Sequence, residues 1–200
     1  MSGRLIAPEL ETFPNRYRWT VDACYRLKEL GFLEGRFELI DGEVVNKMGQ
    51  NPPHFFAIGR IAHWANSVFG DEFVRVQGPI MLTEPDSTYS EPEPALAVTR
   101  EAASAYVDRH PGPSDILLIV EVSDTSIRTD LLVKARLYAR AGIPEYWALD
   151  LPNRRLHVHR EPAGQDYSTV TVVEDGGSAG YGAHPDAVIA VADLLPPVAR

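Results

Sequence analysis

The chain is poor in cysteine, in lysine and in long apolar runs. A single cysteine, Cys24, among 200 residues excludes a disulfide framework and any cysteine-rich zinc centre. The most strongly apolar run, Ile116 to Val120, is far short of the ~20 residues that a membrane-spanning helix needs. Met1 to Pro14 has no apolar core of the kind a signal peptide carries. No basic amphipathic segment suggests anchoring at a lipid surface. These absences lead to the expectation of a cytoplasmic chain without membrane contact. Positive charge is also scarce: the net charge of −9 argues against non-specific electrostatic binding of nucleic acid over the whole surface, though not against a local basic groove.

Lysine is the rarest cation, with three (Lys28, Lys47, Lys134) against sixteen arginines. Where arginine supplies the routine surface charge, each lysine is a candidate for chemistry, because its pKa and position can be tuned. Phosphate-cradling loops are absent: Gly176, Gly177, Gly180 and Gly182 do not lead from a strand into a helix. There is no Gly-x-Ser-x-Gly elbow. The six histidines show no metal-ligand spacing within a helix, and His157 and His159 read as exposed residues on one face of a strand. His63 reads as a solvated helix residue, His54 as a helix-start residue that could face a site, and Cys24 as a small core residue.

With 44% hydrophobic and 24% charged residues, what remains is an ordinary globular composition of single-domain length. The expected organisation is an irregular arm over 1–19, one domain over 20–195 and a tail over 196–200. Thr20 caps a helix to Leu30 with Gly31 as its stop. Phe37 to Met48 reads as a hairpin turning at Asp41-Gly42. Pro52-Pro53 opens a second helix, whose stripe of Ile58, Ile61, Ala65, Val68 and Phe69 closes at Gly70. Strands are expected at Phe73–Leu82, Pro94–Val98, Asp115–Ser123, Tyr146–Leu149, Leu156–His159 and Ser168–Val173, and a helix over Ser126–Ala141. Glu84 to Glu91 and 100–113 read as polar connections. Ile116 to Val120, apolar on both faces, should be a central strand. The order predicts a mixed α/β domain with one sheet and helices on it.

Two residues stand out within that frame. Glu121 ends the apolar strand and shares a face with Leu117 and Ile119, where a carboxylate is costly unless paired, protonated or bound to a cation. Lys134 lies 13 residues downstream on the next helix, on one face with Leu131 and Tyr138. An i,i+4 pair with Asp130 would account for it structurally. The short connection folds that helix back over the strand end, which can bring Lys134 to Glu121. A carboxylate and a lysine meeting near other acids suit metal-assisted hydrolysis, with a hard cation such as Mg²⁺ held through oxygens. Tyr146 and Trp147 read as core.

Several blocks resemble the Uma-two family of bacterial proteins: Phe37-Glu38-Leu39-Ile40-Asp41-Gly42-Glu43-Val44-Val45, Ser90-Glu91-Pro92-Glu93-Pro94, Ile119-Val120-Glu121-Val122-Ser123, and Lys134 through Trp147. That family is described as restriction-endonuclease-like, within the PD-(D/E)XK nuclease superfamily. The likeness runs from about Thr20 to Leu195. It implies a restriction-endonuclease-like core, a mixed central sheet flanked by helices with an N-terminal helix and hairpin, acting on DNA with Mg²⁺ or Mn²⁺, in a homodimer. By resemblance, Glu121 matches the second metal-binding acid and Lys134 the catalytic lysine, moved from the strand (where Ser123 stands) to the following helix. Glu38 matches an early glutamate near such sites.

One departure is decisive for function. The family has an aspartate directly after the second proline, where this chain has Ala95. An alanine cannot ligate a cation. The chain is then a naturally silent relative, or carries an introduced inactivating substitution, or has Glu93 as a replacement ligand, two residues earlier and on the same side of an extended strand. Three readings follow: a Mg²⁺-dependent endonuclease impaired at Ala95, a silent homodimeric module that binds nucleic acid or protein, and a hydrolase of smaller phosphate esters. Arg154-Arg155 and Arg136 to Arg140 are the candidate nucleic-acid contacts.

Overall fold

A computed structural model describes residues 17–47 and 49–197. The expected arm over 1–19 therefore lies almost wholly outside the described residues. Helix α1 (Val21–Glu29) begins where Thr20 accepts a hydrogen bond from the Ala23 amide, as the cap pattern predicts. Strands β1 (Phe37–Ile40) and β2 (Glu43–Asn46) form the hairpin. Its turn residues Asp41 and Gly42 have φ of 50° and 81°, both left-handed, as a type I′ turn requires. A Cβ at Gly42 would also lie 2.6 Å from the Arg18 Cβ, so glycine is required there on two counts.

Helix α2 (Pro52–Phe69) follows, capped by Asn51 and stopped at Gly70. Strand β3 covers only Val74–Val76, a correction to the longer strand expected to Leu82. The chain turns away at Gln77, which has a φ of 54°, and Gly78-Pro79 cannot continue a ladder. Ile80 and Leu82 are buried as anchors of an irregular segment instead. A short helix α3 (Asp86–Tyr89) interrupts the polar connection before β4 (Leu96–Thr99) and β5 (Ile116–Ser123).

After β5 the chain forms one continuous helix in three segments: α4 (Ile127–Thr129), a π-helical turn (Asp130–Lys134) and α5 (Ala135–Arg140). Strands β6 (Glu145–Asp150), β7 (Arg155–Ala163) and β8 (Asp166–Glu174) complete the main sheet. The glycine-rich segment forms a second small ladder, β9 (Ser178–Gly180) with β10 (Val188–Ala190), ahead of α6 (Val191–Leu194).

The six-stranded sheet has the order β3-β4-β5-β6-β7-β8. It is mixed: β5 and β6 pair in parallel and the other neighbours antiparallel. Strand β5 is therefore interior and covered on both faces, as its composition demands. One face carries α2 and α6 over Leu118, Val120, Val122 and Trp147, with Trp64 stacked on Trp147 at 4.9 Å between ring centroids. The other carries the 127–140 helix over Ile119, Ala148 and Tyr146, with Tyr138 and Leu137 pointing down. Leu117 turns to the α2 side at a register shift opposite Val98 and Thr99, so it does not share a face with Glu121 as expected.

His157 and His159 correct another expectation. Both are buried, because β7 is an interior strand and its ring-bearing face lies under the 127–140 helix side of the sheet. His159 packs between Tyr146 and Tyr167, at 5.3 and 5.6 Å. Burial, reinforced by neighbouring His157, pushes its pKa down to about 4. His63 is exposed and Cys24 is buried, as read from sequence.

Candidate active site

Glu121 lies near the C-terminal end of β5, and its carboxylate is buried against the 127–140 helix. Three donors hold it. Lys134 Nζ lies 2.9 Å from Oε1, and the Tyr138 hydroxyl donates to the same oxygen at 3.0 Å. The Ala95 amide donates to Oε2 at 3.2 Å. Residue 95 thus touches Glu121, but through its backbone alone, while its methyl packs in the α2-side cluster.

Glu38 arrives from the hairpin. The hairpin is fastened to the segment before β4 by paired Leu39 and Glu91 backbone bonds of 3.3 and 2.8 Å. That pairing carries Glu38 inward, where Oε2 accepts the Glu93 amide at 3.2 Å and lies 2.8 Å from Lys134 Nζ. Asp130 closes the third side: Oδ1 lies 3.7 Å from the same ammonium, and Oδ2 accepts the Ser123 and Ser126 hydroxyls at 2.6 and 2.7 Å. The i,i+4 relation of Asp130 and Lys134 was legible in the sequence. The π turn was not, since one extra residue in a helical turn leaves no simple pattern.

Lys134 is 3% exposed and faces three carboxylates. Burial alone would lower its pKa, but the charges of Glu121, Glu38 and Asp130 outweigh burial and hold the amine above its ordinary range. Burial and the Glu121 charge likewise raise the Tyr138 hydroxyl, which stays a donor at any physiological pH.

Among the expected site residues, Glu121, Lys134 and Glu38 come together. Glu93 does not join them by its side chain: its carboxylate pairs with Arg36, while its backbone amide serves Glu38 and its carbonyl accepts from Lys47 Nζ at 2.8 Å. Lys47 also lies 3.7 Å from Glu38 Oε2. Sequence reasoning missed Lys47, Asp130 and Tyr138 as parts of the site. The scarcity of lysine was the available signal, since two of the three lysines meet here. His54 bonds the Val122 carbonyl at 2.8 Å from the start of α2, on the opposite side of the sheet. The arginines proposed for nucleic acid are engaged in ion pairs: Arg136 with Asp166, Arg140 with Asp86, Arg154 with Asp175 and Arg155 with Asp150.

The Uma2 family model, described as "Putative restriction endonuclease", matches residues 25–191. The chain belongs to the Uma2 family. This is the Uma-two family of the sequence comparison, and the match spans every residue of the Glu38–Glu121–Lys134 cluster. The fold agrees with a solved relative, titled as the crystal structure of a putative nuclease belonging to DUF820 from Anabaena variabilis. That structure is 16% identical at a TM-score of 0.58, over 84% of this chain and 96% of its own. At that identity it speaks for the fold alone. No curated protein matches the chain.

A hard divalent cation needs several free oxygen ligands at about 2.0–2.6 Å. In this Uma2 member the oxygens of Glu121 and the inward oxygen of Glu38 already accept protein donors, and Ala95 offers no side-chain oxygen. Among the described residues no group of three or more His, Cys, Asp or Glu is placed to hold a metal ion. The residues present therefore do not fit a divalent cation in this arrangement.

Proposed function

We propose that the chain is a Uma2 nuclease impaired at its first acid: a homodimeric, cytoplasmic protein whose chemistry is phosphodiester hydrolysis in DNA. Mg²⁺ or Mn²⁺ is the partner this chemistry needs, and the residues present do not fit one while Ala95 stands in place of an acid. The observation that carries this reading is the convergence of Glu121, Glu38 and Lys134 at the end of an interior strand. Buried charges must be paired, and here one lysine gathers the acids at a single point. Lys134 and Tyr138 together fix Glu121 by Oε1 and turn Oε2 toward residue 95. Only the residue-95 backbone faces that oxygen, since the Ala95 methyl packs in the α2-side cluster, so an aspartate there would have to turn its carboxylate toward Glu121 to act with it.

The test is Ala95→Asp. Purified unchanged protein is expected to leave supercoiled plasmid intact or nick it slowly in Mg²⁺ or Mn²⁺. The Ala95→Asp protein should nick it, and adding Glu121→Gln should abolish the gain. Its melting temperature should fall in EDTA, because the new carboxylate lacks a counter-charge, and recover with Mg²⁺. If neither protein cuts DNA, catalysis by this constellation is wrong. The second reading is a silent binding module, which the absent acid at residue 95 favours. It predicts salt-dependent DNA affinity in EDTA that Glu121→Ala leaves unchanged. That affinity would be modest, since the candidate arginines are already paired.

A further inference from the structure

We infer that Lys134 is the resident cation of this site: its ammonium fills the place between Glu38, Glu121 and Asp130 that a metal ion would neutralise, and the unchanged chain takes up no divalent cation there. An ammonium has three donor hydrogens, and Lys134 Nζ faces three carboxylate oxygens, at 2.8, 2.9 and 3.7 Å. Its side chain is only 4% exposed, so these acids and not solvent meet its charge. Buried carboxylates require a counter-charge or a proton, and the nearest acids here are compensated from within the chain. The carboxylate oxygens turned away from Lys134 are also engaged: Glu121 Oε2 by the Ala95 amide, and Asp130 Oδ2 by Ser123 and Ser126. A cation at this point would have to displace a lysine whose charge the same three acids stabilise.

Lys47 strengthens the argument. It adds a second ammonium 3.7 Å from Glu38 Oε2, with its own hydrogen bond to the Glu93 carbonyl. Arg36 neutralises the Glu93 carboxylate beside it. Lys134 is thus shared by three acids, while Glu38 and Glu93 each have a further cation beside them. The inference goes beyond the nuclease reading, because it states what occupies the site whether or not Ala95→Asp restores cutting.

The full chain is titrated with Mn²⁺ and followed by electron paramagnetic resonance, and its melting is compared in EDTA and in millimolar Mn²⁺. The unchanged chain is expected to melt at the same temperature in both and to show no bound Mn²⁺ that Glu121→Gln removes. Lys134→Met keeps the length of the side chain and deletes the charge. It should lower the melting temperature in EDTA, regain it in Mn²⁺ but not in NaCl of equal ionic strength, and bind Mn²⁺ about tenfold or more tightly than the unchanged chain. Mn²⁺ bound by the unchanged chain and lost on Glu121→Gln overturns the inference. So does a folded Lys134→Met protein that gains no Mn²⁺ affinity. If Lys134→Met does not fold in either condition, the titration of the unchanged chain against Glu121→Gln decides by itself.

Discussion

Lysine and arginine play different parts in this chain, and the difference is visible residue by residue. Arg136 and Arg154 each pair with one acid near the surface, whereas Lys134 is a compact charge at the meeting point of three buried acids. Tyr138 shares the load at Glu121 Oε1. Tyr138→Phe should cost about 1–2 kcal/mol, because it removes one donor from a buried charged acceptor, and urea unfolding measures the loss. His159 gives a pH prediction. Its folded pKa lies near 4 against an ordinary value of 6.5, so the unfolded chain takes up the proton first. Stability should be independent of this residue above pH 6.5. It should then fall as pH drops toward 4, by about 3 kcal/mol at most. His159→Leu should flatten that part of the pH profile. An unchanged slope would mean that other groups cause it.

At the scale of elements, local chemistry and site geometry meet in the hairpin and in the 127–140 helix. The hairpin's Asp41-Gly42 turn fixes the register that puts Glu38 on the inward side of β1. Gly42→Ala should destabilise the protein by about 1 kcal/mol or more, through its positive φ and the Arg18 contact, and lower its melting temperature. Helix α2 depends on the Asn51 side chain, which accepts from the His54 amide at 3.0 Å. Asn51→Ala should cost about 1 kcal/mol in chemical denaturation. The π turn is the element that propensity reasoning could not supply. It sets Asp130 and Lys134 on the sheet side, and the Tyr146 hydroxyl supports it by bonding the Asp130 carbonyl at 3.1 Å.

At the scale of the whole molecule, one six-stranded sheet with helices on both faces gives two cores, and the site lies where β5 leaves one of them. Leu118→Ala, deep on the α2 side, should cost about 2–5 kcal/mol by leaving a cavity. Among the described residues no helix is long and apolar enough to cross a membrane, in line with the low apolar run lengths of the sequence. Net charge belongs to this scale too: at −9 it disfavours non-specific binding of DNA over the whole surface.

The amino-acid sequence by itself determined the elements with strong local chemistry. The Thr20 cap, the Asp-Gly turn, the Pro-Pro helix start and the doubly apolar run of β5 each act within a few residues, so they are readable without neighbours. It also singled out Glu121 and Lys134, because a charge next to a buried run is conspicuous in one dimension. The end of β3 at Gln77, the burial of His157 and His159, and the approach of Glu38 and Lys47 to the lysine's surroundings were decided only in three dimensions. They depend on which strand is interior and which segment pairs with the hairpin, and those partners lie tens of residues away in the chain.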